Sequence, residues 1–272
     1  MEKNNQRSFR QIQYEKKWRR DKIVNRSIQV LAFFAFFIQW EVTTALGFVD
    51  SFFFSSPSLI FKSLQTLTKN NHLLTHIRVT LLEVLFSFML VVFISLVIAV
   101  MFWYFDRLST IFEPYLVILN SLPKSALAPL FIVWLGTGGK TIIVAGISVA
   151  IFGSIISLYT GFRQADGGKI HLVYALGGTK RDVLKKVILP GSVPLIISTM
   201  KVNIGLSLVG VVIGEFLAAR QGLGYLIIYG TQTFKMSMVI TSLVLLCLIA
   251  VLLFVIIDLF ERLINRRKKS IH

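Results

Sequence analysis

The sequence predicts an all-α, polytopic membrane protein with about six transmembrane helices. Hydrophobic residues make up 55% of the 272 residues and charged residues only 15%, which is more apolar surface than a soluble core of this size would bury. Basic residues are concentrated between and around the apolar segments, as in membrane proteins. Three runs of 22 residues carry no charge and are long enough to cross a bilayer, namely 84–105, 141–162 and 236–257.

Three further apolar segments complete the set of six, although each contains polar or charged side chains. The first holds Gln39 and Glu41, the third holds Lys124, and the fifth holds Lys201 and Glu215. Each segment is nevertheless long enough to cross a bilayer as a helix. In chain order, the six predicted spans cover residues 27–49, 79–105, 111–139, 141–162, 192–217 and 236–260.

The distribution of positive charge predicts how the chain is oriented. Of its 29 Lys and Arg residues, 21 lie in segments that the positive-inside rule assigns to the cytoplasm. We therefore expect a multi-pass protein of a bacterial plasma membrane, with one transmembrane domain over residues 27–265 between basic cytoplasmic tails, 1–26 and 266–272. The net charge of +16 has this electrostatic explanation, so we expect the lipid bilayer as a partner and no nucleic acid. The basic segments are residues 1–26, Arg107, 163–186 and 262–269.

Ionisable residues inside apolar spans are candidates for function, because each is costly to bury unless it meets water or a partner. Lys124 is the most informative of them, since Pro123 and Pro129 flank it and remove backbone donors within the third predicted span. Interrupted backbone is tolerated in a membrane where it lines a cavity or is buried in protein. Lys124 therefore either lines a translocation path or pairs with a neighbouring helix end. The full set is Glu41, Glu83, Lys124, Lys201, Glu215 and Asp258.

Small residues recur at helical spacing in the fourth and fifth predicted spans. Steps of four, three and four place each set on one helical face, which lets helices approach closely. Helix packing is the preferred interpretation for the fourth span. For the fifth, packing and a translocation path lined by Asn203 and Ser207 remain open, and Glu215 is a further candidate for the path. The two sets are Gly146, Ala150, Gly153 and Ser157, and Asn203, Ser207, Gly210 and Gly214.

The sequence gives no support for a metal site or a catalytic centre. Cys247 is the only cysteine, which excludes an internal disulfide and argues against a thiolate metal site. His72 and His76 are one helical turn apart, but no carboxylate or cysteine completes a ligand set. We expect both histidines to be solvated or interfacial, and we expect no catalytic residue and no cofactor bound by this chain.

The most informative segment is the polar, basic loop between the fourth and fifth spans, residues 163–190. Gly177-Gly178 is expected to end a helix that begins near Gly168, because glycine accepts the left-handed conformation that closes many helices. The positive charge places this loop in the cytoplasm. The alternative role for it is a helix that floats on the inner leaflet.

A second short helix follows the glycine pair. Thr179 and Asp182 have the spacing of a capping box, which starts a helix. The apolar residues after them fall on one side of that helix and the basic residues on the other, and Pro190 is expected to end it. The apolar residues are Val183, Leu184, Val187 and Ile188.

At these residues the chain resembles a known family, the permease subunits of binding-protein-dependent ABC importers. The signature of that family reads Glu-Ala-Ala, three residues, Gly, nine residues, Ile, one residue and Leu-Pro. Gly177, Val187, Leu189 and Pro190 occupy matching positions, whereas His-Leu-Val at 171–173 stands in place of Glu-Ala-Ala.

The resemblance extends over about residues 74–259. It looks most like the branch that serves sulfonates, taurine, nitrate and the precursors of thiamine. No single one of the matching segments is specific to this branch, but the order and spacing of all of them taken together are specific. The segments are Leu122-Pro123-Lys124, Ala128-Pro129-Leu130-Phe131, Trp134-Leu135-Gly136-Thr137-Gly138, Gly214-Glu215-Phe216 and Gly222-Leu223-Gly224-Tyr225-Leu226-Ile227.

The resemblance implies a type I ABC importer permease fold and a transport subunit that is not itself an enzyme. The chain has no phosphate-binding loop of the Gly-x-x-x-x-Gly-Lys-Ser/Thr type, so ATP and Mg²⁺ are expected on a partner ATPase. The other implied partners are an extracytoplasmic substrate-binding protein and a second permease copy, as a homodimer. The residues implied in coupling to the ATPase are Gly168, Ile170, Val173, Tyr174, Leu176, Gly177, Gly178, Val187, Leu189 and Pro190.

An ion-coupled secondary transporter is the alternative from a different class. Interrupted spans and buried charges favour it, but no inverted repeat is visible and no pair of mid-membrane carboxylates stands out as an ion site. The expected substrate of the importer is a small polar or anionic nutrient of the sulfonate, taurine, nitrate or thiamine-precursor type.

Overall fold

The computed structural model describes residues 9–69 and 73–269, and within them the chain is almost entirely helical. Residues 1–8 and 270–272 of the predicted tails, and His72, lie outside the described residues. A π-helical turn, Leu184–Ile188, joins α9 to α10. The helices are α1 (Phe9–Ala45), α2 (Ser51–Phe54), α3 (Pro57–Lys69), α4 (Leu73–Tyr104), α5 (Asp106–Ser121), α6 (Lys124–Leu135), α7 (Gly139–Arg163), α8 (Gly167–Ala175), α9 (Lys180–Val183), α10 (Leu189–Gly191), α11 (Val193–Ala218), α12 (Leu223–Gln232) and α13 (Met236–Lys269).

Five helices in the described part of the chain are long and apolar enough to cross a membrane. They are α1, α4, α7, α11 and α13. The pair α5 and α6 passes the same test only when taken together, and its two halves are bent by 98°. The all-α membrane fold expected from the sequence is therefore confirmed, with one span broken.

The first helix is longer than the predicted first span. α1 runs without interruption from Phe9 to Ala45, because no glycine or proline occurs between them. Residues 9–26 of the predicted basic tail are consequently helical and continuous with the span. α1 packs on α2 and α3 and leaves most of its aromatic side chains exposed, which places it at the edge of the bundle.

The third predicted span, 111–139, consists of two helices that meet at a sharp bend. α5 ends at Ser121, and Leu122 takes an extended conformation with a ψ of 139°. Proline disfavours the helical conformation in the residue before it, and Pro123 offers no backbone N–H to continue the helix. The interruption that the prolines indicate is therefore a change of direction and not a kink within one straight span.

At the centre of the bundle, α7 lies between α4 and α11. Glycines permit this close packing. A Cβ built on Gly210 would lie 2.7 Å from the carbonyl oxygen of Ala145, and one on Gly214 would lie 2.9 Å from the Cα of Ile142. Gly146 faces the Ser87 side chain of α4 in the same way. This part of the two small-residue stripes therefore serves helix packing.

Two hydrophobic clusters hold the two ends of the bundle. The outer cluster, on the side that the charge distribution predicts to be extracytoplasmic, joins α4, α11, α12 and α13 around side chains such as Val84 and Leu223. The inner cluster joins α4 and α7 to the segment after α8 through Phe162, Val183 and Ile188, which are fully buried. The second half of the polar loop is thus packed onto α4 and α7.

Candidate coupling and translocation sites

Specific hydrogen bonds close the short helix α8 at both ends. The Asp166 side chain accepts a hydrogen bond from the backbone two residues later, at 2.9 Å. At the other end, the N–H of Gly177 donates to Tyr174 O at 2.9 Å and the N–H of Gly178 donates to Val173 O at 2.8 Å. These two bonds form a Schellman motif, which requires a left-handed residue, and Gly177 has a φ of +79°.

The capping box of the second helix is present. The Thr179 N–H donates to Asp182 Oδ2 at 2.9 Å, and the Asp182 N–H donates to Thr179 Oγ1 at 3.4 Å. Hydrogen bonds from the side chain and backbone of Thr179 hold the pKa of the Asp182 carboxyl below its usual value, because they favour the ionised form.

The prediction that Pro190 ends this helix is wrong. The chain continues through the π-helical turn into α10, and a further helix, α11, begins at Val193. Pro190 lies in the first turn of α10, where a helix requires no backbone N–H from the residue.

The ten predicted coupling residues divide between an exposed tip and a base that contacts the bundle. The tip is apolar, since Leu176 is 79% exposed and its neighbour Leu172 on α8 is 60% exposed. The exposed members of the predicted set are Gly168, Tyr174, Leu176, Gly177 and Pro190. The half-buried members are Ile170, Val173, Gly178, Val187 and Leu189.

Asn203 lies in a polar network that joins three helices. Its Nδ2 donates to Ser154 Oγ of α7 at 2.8 Å, and Ser154 Oγ donates to Ser95 Oγ of α4 at 2.9 Å. All three side chains are buried, so they satisfy one another. Ser207 is fully buried one turn further along α11, and its Oγ has no hydrogen-bond partner among the described residues. Both side chains are therefore enclosed within the single chain.

A groove with a volume of about 310 Å³ opens beside this network, between α7 and α11. The hydroxyl groups of Ser154, Ser157, Ser198 and Thr199 line it together with the amide of Asn203, and its other lining residues are uncharged. Ser157 and Ser198 are exposed. The small-residue stripe of α7 therefore packs against α11 at Gly146 and borders the groove at Gly153 and Ser157.

Lys124 pairs with the end of the helix before the bend. Its Nζ donates to the carbonyl oxygens of Asn120 and Leu122, both at 2.9 Å, and to that of Leu119. The ammonium also lies 5.5 Å from the ring centre of Phe152. Its charge thus compensates the free carbonyls that Pro123 leaves at the end of α5. Of the two roles open for Lys124, pairing with a helix end is the one seen in this chain.

Glu215 joins the outer ends of three helices. Its Oε1 accepts a hydrogen bond from Thr80 Oγ1 of α4 at 2.6 Å, and its Oε2 accepts one from the N–H of Gly224 in α12 at 2.5 Å. The N–H of Leu223 donates to Thr80 Oγ1 at 2.8 Å. The carboxylate and the threonine together satisfy the free N–H groups at the start of α12.

His76 belongs to the same cluster, and the expectation that it is solvated or interfacial is wrong. It is 9% exposed, its Nδ1 accepts a hydrogen bond from the Gly222 N–H at 2.9 Å, and its ring stacks on Tyr225. Its partner in the sequence pattern, His72, lies outside the described residues. Across the described ranges, no three His, Cys, Asp or Glu side chains are grouped as they would be around a metal ion.

Glu83 is the residue of this cluster that the sequence reasoning did not connect to Glu215. The two carboxyl groups interact across the α4–α11 contact, and Glu83 is 9% exposed. The signal was present, because His76, Thr80, Glu83 and Ser87 follow one another at steps of four, three and four, and so form one polar face of α4.

The other ionisable residues of the spans have structural partners. Lys201 Nζ lies 2.7 Å from Asp258 Oδ1 and 2.5 Å from Glu261 Oε2, which ties α11 to α13. Glu41 Oε2 accepts a hydrogen bond from the Ser58 N–H at 3.0 Å, in the first turn of α3. These side chains stabilise helix contacts and helix starts, and they border neither the groove nor the tip of α8.

Comparison with known families agrees with this arrangement. Residues 91–270 match the model of the family described as "binding-protein-dependent transport system inner membrane component". The chain belongs to this family. It is accordingly an inner-membrane permease subunit of an ABC importer, and the resemblance drawn from the loop and the Gly-Glu-Phe segment is confirmed.

Individual relatives cover most of the chain. It is 25% identical to the putative aliphatic sulfonates transport permease protein SsuC of Bacillus subtilis, over 84% of this chain and 81% of that protein. It is also 25% identical to the formylaminopyrimidine transport permease protein ThiX of Halalkalibacterium halodurans, over 74% of this chain and 82% of that protein. The fold matches an inward-facing structure of the MetNI methionine ABC transporter with a TM-score of 0.61 and 21% identity, over 70% of this chain and 94% of that one.

Proposed function

We propose that this permease subunit couples ATP hydrolysis on a separate ATPase chain to solute movement through its own spans, and that α8 is the element that docks on the ATPase. The observation that carries the proposal is the apolar, exposed tip of α8, which the Schellman motif holds in a fixed shape. ATP and Mg²⁺ are bound by the ATPase in this proposal. The basic loop and both termini lie in the cytoplasm.

The contacts at the base of α8 support a mechanical link between the ATPase and the spans. Ile170 and Val173 pack against the inner cluster, whose members Phe162 and Ile188 belong to α7 and to the turn before α10. Closure of the ATPase around ATP moves the docked tip of α8. The packed cluster passes that movement to α4 and α7, and the bundle exchanges its inward-open and outward-open states.

Replacement of Leu176 by aspartate tests the docking surface. Leu176→Asp introduces a charge at a side chain that is 79% exposed, so the fold is retained while an apolar contact with the ATPase is lost. We expect the variant to reach the membrane at normal levels but to retain less of the ATPase from its own operon during purification. ATP-driven uptake falls by about tenfold or more if this contact is worth the roughly 1.4–2 kcal/mol of a central interface residue.

Arg181→Ala provides the matched control, because Arg181 is exposed on α9 but lies outside the apolar tip. It is expected to keep the ATPase and the uptake rate. Normal co-purification of Leu176→Asp, with unchanged uptake, would show that α8 is not the docking element.

We propose that the groove between α7 and α11 forms part of the solute path. The exposed hydroxyl groups of Ser157 and Ser198 offer both donors and acceptors without a fixed charge, and Lys124 is engaged with the carbonyls of α5. Such a surface exchanges hydrogen bonds with a small polar or anionic solute without holding it tightly. The names of the relatives support a sulfonate or a thiamine-precursor type of nutrient, delivered by an extracytoplasmic binding protein.

Cysteine labelling tests this path. In a Cys247→Ala background, Ser157→Cys and Ser198→Cys place thiols in the groove, whereas Ser242→Cys places one at a fully buried position of α13. We expect a membrane-impermeant thiol reagent to modify the two groove positions faster than the buried one. The rate of modification in the groove is expected to change when ATP and binding protein are added. Equal, nucleotide-independent rates at all three positions would contradict the assignment.

We propose that a second copy of the chain completes the path, because the groove is open along one side of the single subunit. The break between α5 and α6 supports an additional protein contact there, because interrupted backbone at membrane depth is tolerated only where protein buries it or it lines a cavity, and Leu122 and Pro123 are exposed in the single subunit. Co-expression of two differently tagged copies tests the homodimer. Recovery of one tag with the other supports it, and recovery of only one tag together with a different permease chain excludes it.

A further inference from the structure

The ends of α4 and α7 and the starts of α5 and α9 surround a small pocket that belongs neither to the docking tip nor to the groove. It has a volume of about 230 Å³ and is lined by Trp103, Asp106, Tyr159, Arg163 and Lys180. A water molecule occupies about 30 Å³ in the liquid, so the pocket has room for a larger polar group.

The sequence around the pocket places it at the level of lipid headgroups. Trp103 is the penultimate residue of α4, and α5 begins at Asp106. Tryptophan and tyrosine accumulate where a span leaves the hydrocarbon core. Arg163 is the last residue of α7, and the basic loop starts there. The pocket therefore opens at the membrane surface on the same side as the loop.

The polar groups of the pocket favour an anion. Arg163 donates one hydrogen bond, from Nη1 to the Tyr159 hydroxyl at 3.3 Å, and among the described residues no other acceptor is recorded for its five N–H groups. The Lys180 ammonium lies 3.3 Å from Asp106 Oδ2 and 5.6 Å from the ring centre of Trp103. Two cations and one carboxylate leave the pocket with a net positive charge.

We propose that this pocket binds the phosphate of an anionic phospholipid from the inner leaflet. The planar guanidinium of Arg163 can donate two parallel hydrogen bonds to a phosphate, and Lys180 adds a second charge. Trp103 and Tyr159 provide the apolar walls against which the glycerol part of a lipid packs. Because Lys180 is the first residue of α9, a bound lipid also ties the loop to the end of α4.

This inference rests on the proposed cytoplasmic side of the loop but not on the docking of α8. Two variants therefore separate lipid binding in the pocket from docking of α8. Leu176→Asp is expected to lose the ATPase while keeping the lipid. Arg163→Gln is expected to keep the ATPase while losing the lipid.

Lipid retention by the purified permease–ATPase complex provides the measurement. The complex is equilibrated in detergent micelles that contain equal amounts of phosphatidylglycerol and phosphatidylcholine, and the lipids retained after washing are quantified by mass spectrometry. We expect the unmodified complex to retain phosphatidylglycerol preferentially. Arg163→Gln and Lys180→Gln each reduce that preference by about fivefold, the effect of one basic residue at a membrane surface.

Arg107→Gln is the matched control, because Arg107 is an exposed base at the same level that does not line the pocket. Equal loss of phosphatidylglycerol in all three variants, or no loss in any, would overturn the proposal. Inorganic phosphate is tested in lipid-free micelles. A thermal stabilisation by phosphate that requires Arg163, with no effect of phosphatidylglycerol, would show that the ligand is the free anion and would overturn the assignment to lipid. Loss of the ATPase from Arg163→Gln would overturn it as well, by showing a protein contact.

Discussion

At Gly177 the backbone has a φ of +79°, a conformation that costs most L-residues about 1–2 kcal/mol. No atom lies within 4 Å of the position that a Cβ would occupy, so conformational strain and not a clash makes the position require glycine. Gly178 differs, because a Cβ there would lie 2.5 Å from Val173 Cγ1. The two adjacent glycines are thus required for two different physical reasons.

Two substitutions at Gly177 separate strain from the loss of a small residue. Gly177→Val disfavours the left-handed conformation strongly, whereas asparagine adopts it with little cost. We expect Gly177→Val to remain in the membrane but to lose most ATP-driven uptake, and Gly177→Asn to keep most of it. The measurement is uptake into vesicles together with ATP hydrolysis by the complex. Equal uptake by both variants would show that the turn at Gly177 does not matter for coupling.

The roles of residues that contact only near neighbours in the chain could be predicted from the sequence. The glycine pair and the Thr179–Asp182 capping box depend on neighbours within a few positions, and the structure contains both. The pairing of Glu83 with Glu215 could not be read in this way, because it joins α4 to α11 across the packed bundle. Only the register of two distant helices determines which polar residues meet.

Among the helices, α7 and α11 pack closely because glycine residues occupy their contact. Gly210→Ala places a methyl group 2.7 Å from the Ala145 carbonyl oxygen and 2.8 Å from the Gly146 Cα, so the helices must separate. Overpacking of this kind costs typically 1–3 kcal/mol. We expect a lower thermal unfolding midpoint for the purified protein in detergent.

Gly205→Ala is the control for this substitution. Gly205 lies on the same helix, and a Cβ there meets no atom within 4 Å. Since alanine favours helix formation over glycine, its unfolding midpoint is expected to stay equal or rise. A similar decrease in the unfolding midpoint of both variants would show that the small residues of α11 do not determine how closely α7 and α11 pack.

Prolines show what the sequence can and cannot predict about a helix. Pro123 correctly indicated an interruption of the third span, but the angle of 98° depends on the packing of α6 against α7 and α11. Pro190 was expected to end a helix, yet the π-helical turn before it keeps the chain helical. A proline removes one donor wherever it lies, whereas the geometry of the preceding turn decides whether the helix ends.

Over the whole molecule, the outer ends of α4, α11 and α12 are held together by one hydrogen-bonded group. Thr80 is central to it, since its hydroxyl donates to Glu215 and accepts from the Leu223 N–H. Thr80→Val keeps the shape of the side chain but leaves a buried carboxylate and a buried N–H each with one partner fewer. We expect a loss of about 1–3 kcal/mol in stability, measured as thermal or denaturant unfolding in detergent.

Thr66→Val is the corresponding control, because Thr66 is exposed and its hydroxyl bonds only the Lys62 carbonyl of its own helix. It is expected to change stability by less than about 0.5 kcal/mol. A change in stability of less than about 0.5 kcal/mol for Thr80→Val as well would show that Glu215 finds its hydrogen-bond partners without α4.

Composition and charge were sufficient to predict the class of protein, because apolar length and basic flanks are properties of whole segments. The segments of the importer signature added the family. The groove and the inner pocket could not be predicted, since each is a space between helices that are distant in sequence. Asn203 illustrates the limit, because its spacing with Ser207 marked a polar face but did not show that Ser154 and Ser95 complete a network there.

In mechanical terms, α7 is a lever with unequal arms. Its 25 residues span about 37 Å at about 1.5 Å per residue, and the tight contact at Gly146 and Gly210 lies about 10 Å from the end that faces Glu83 and about 26 Å from the end that leads into α8. A tilt of α7 about this contact displaces the α8 end roughly two and a half times as far as the opposite end. Under the proposed docking of α8 on the ATPase, a large displacement of the α8 end therefore corresponds to a small displacement of the end that faces Glu83.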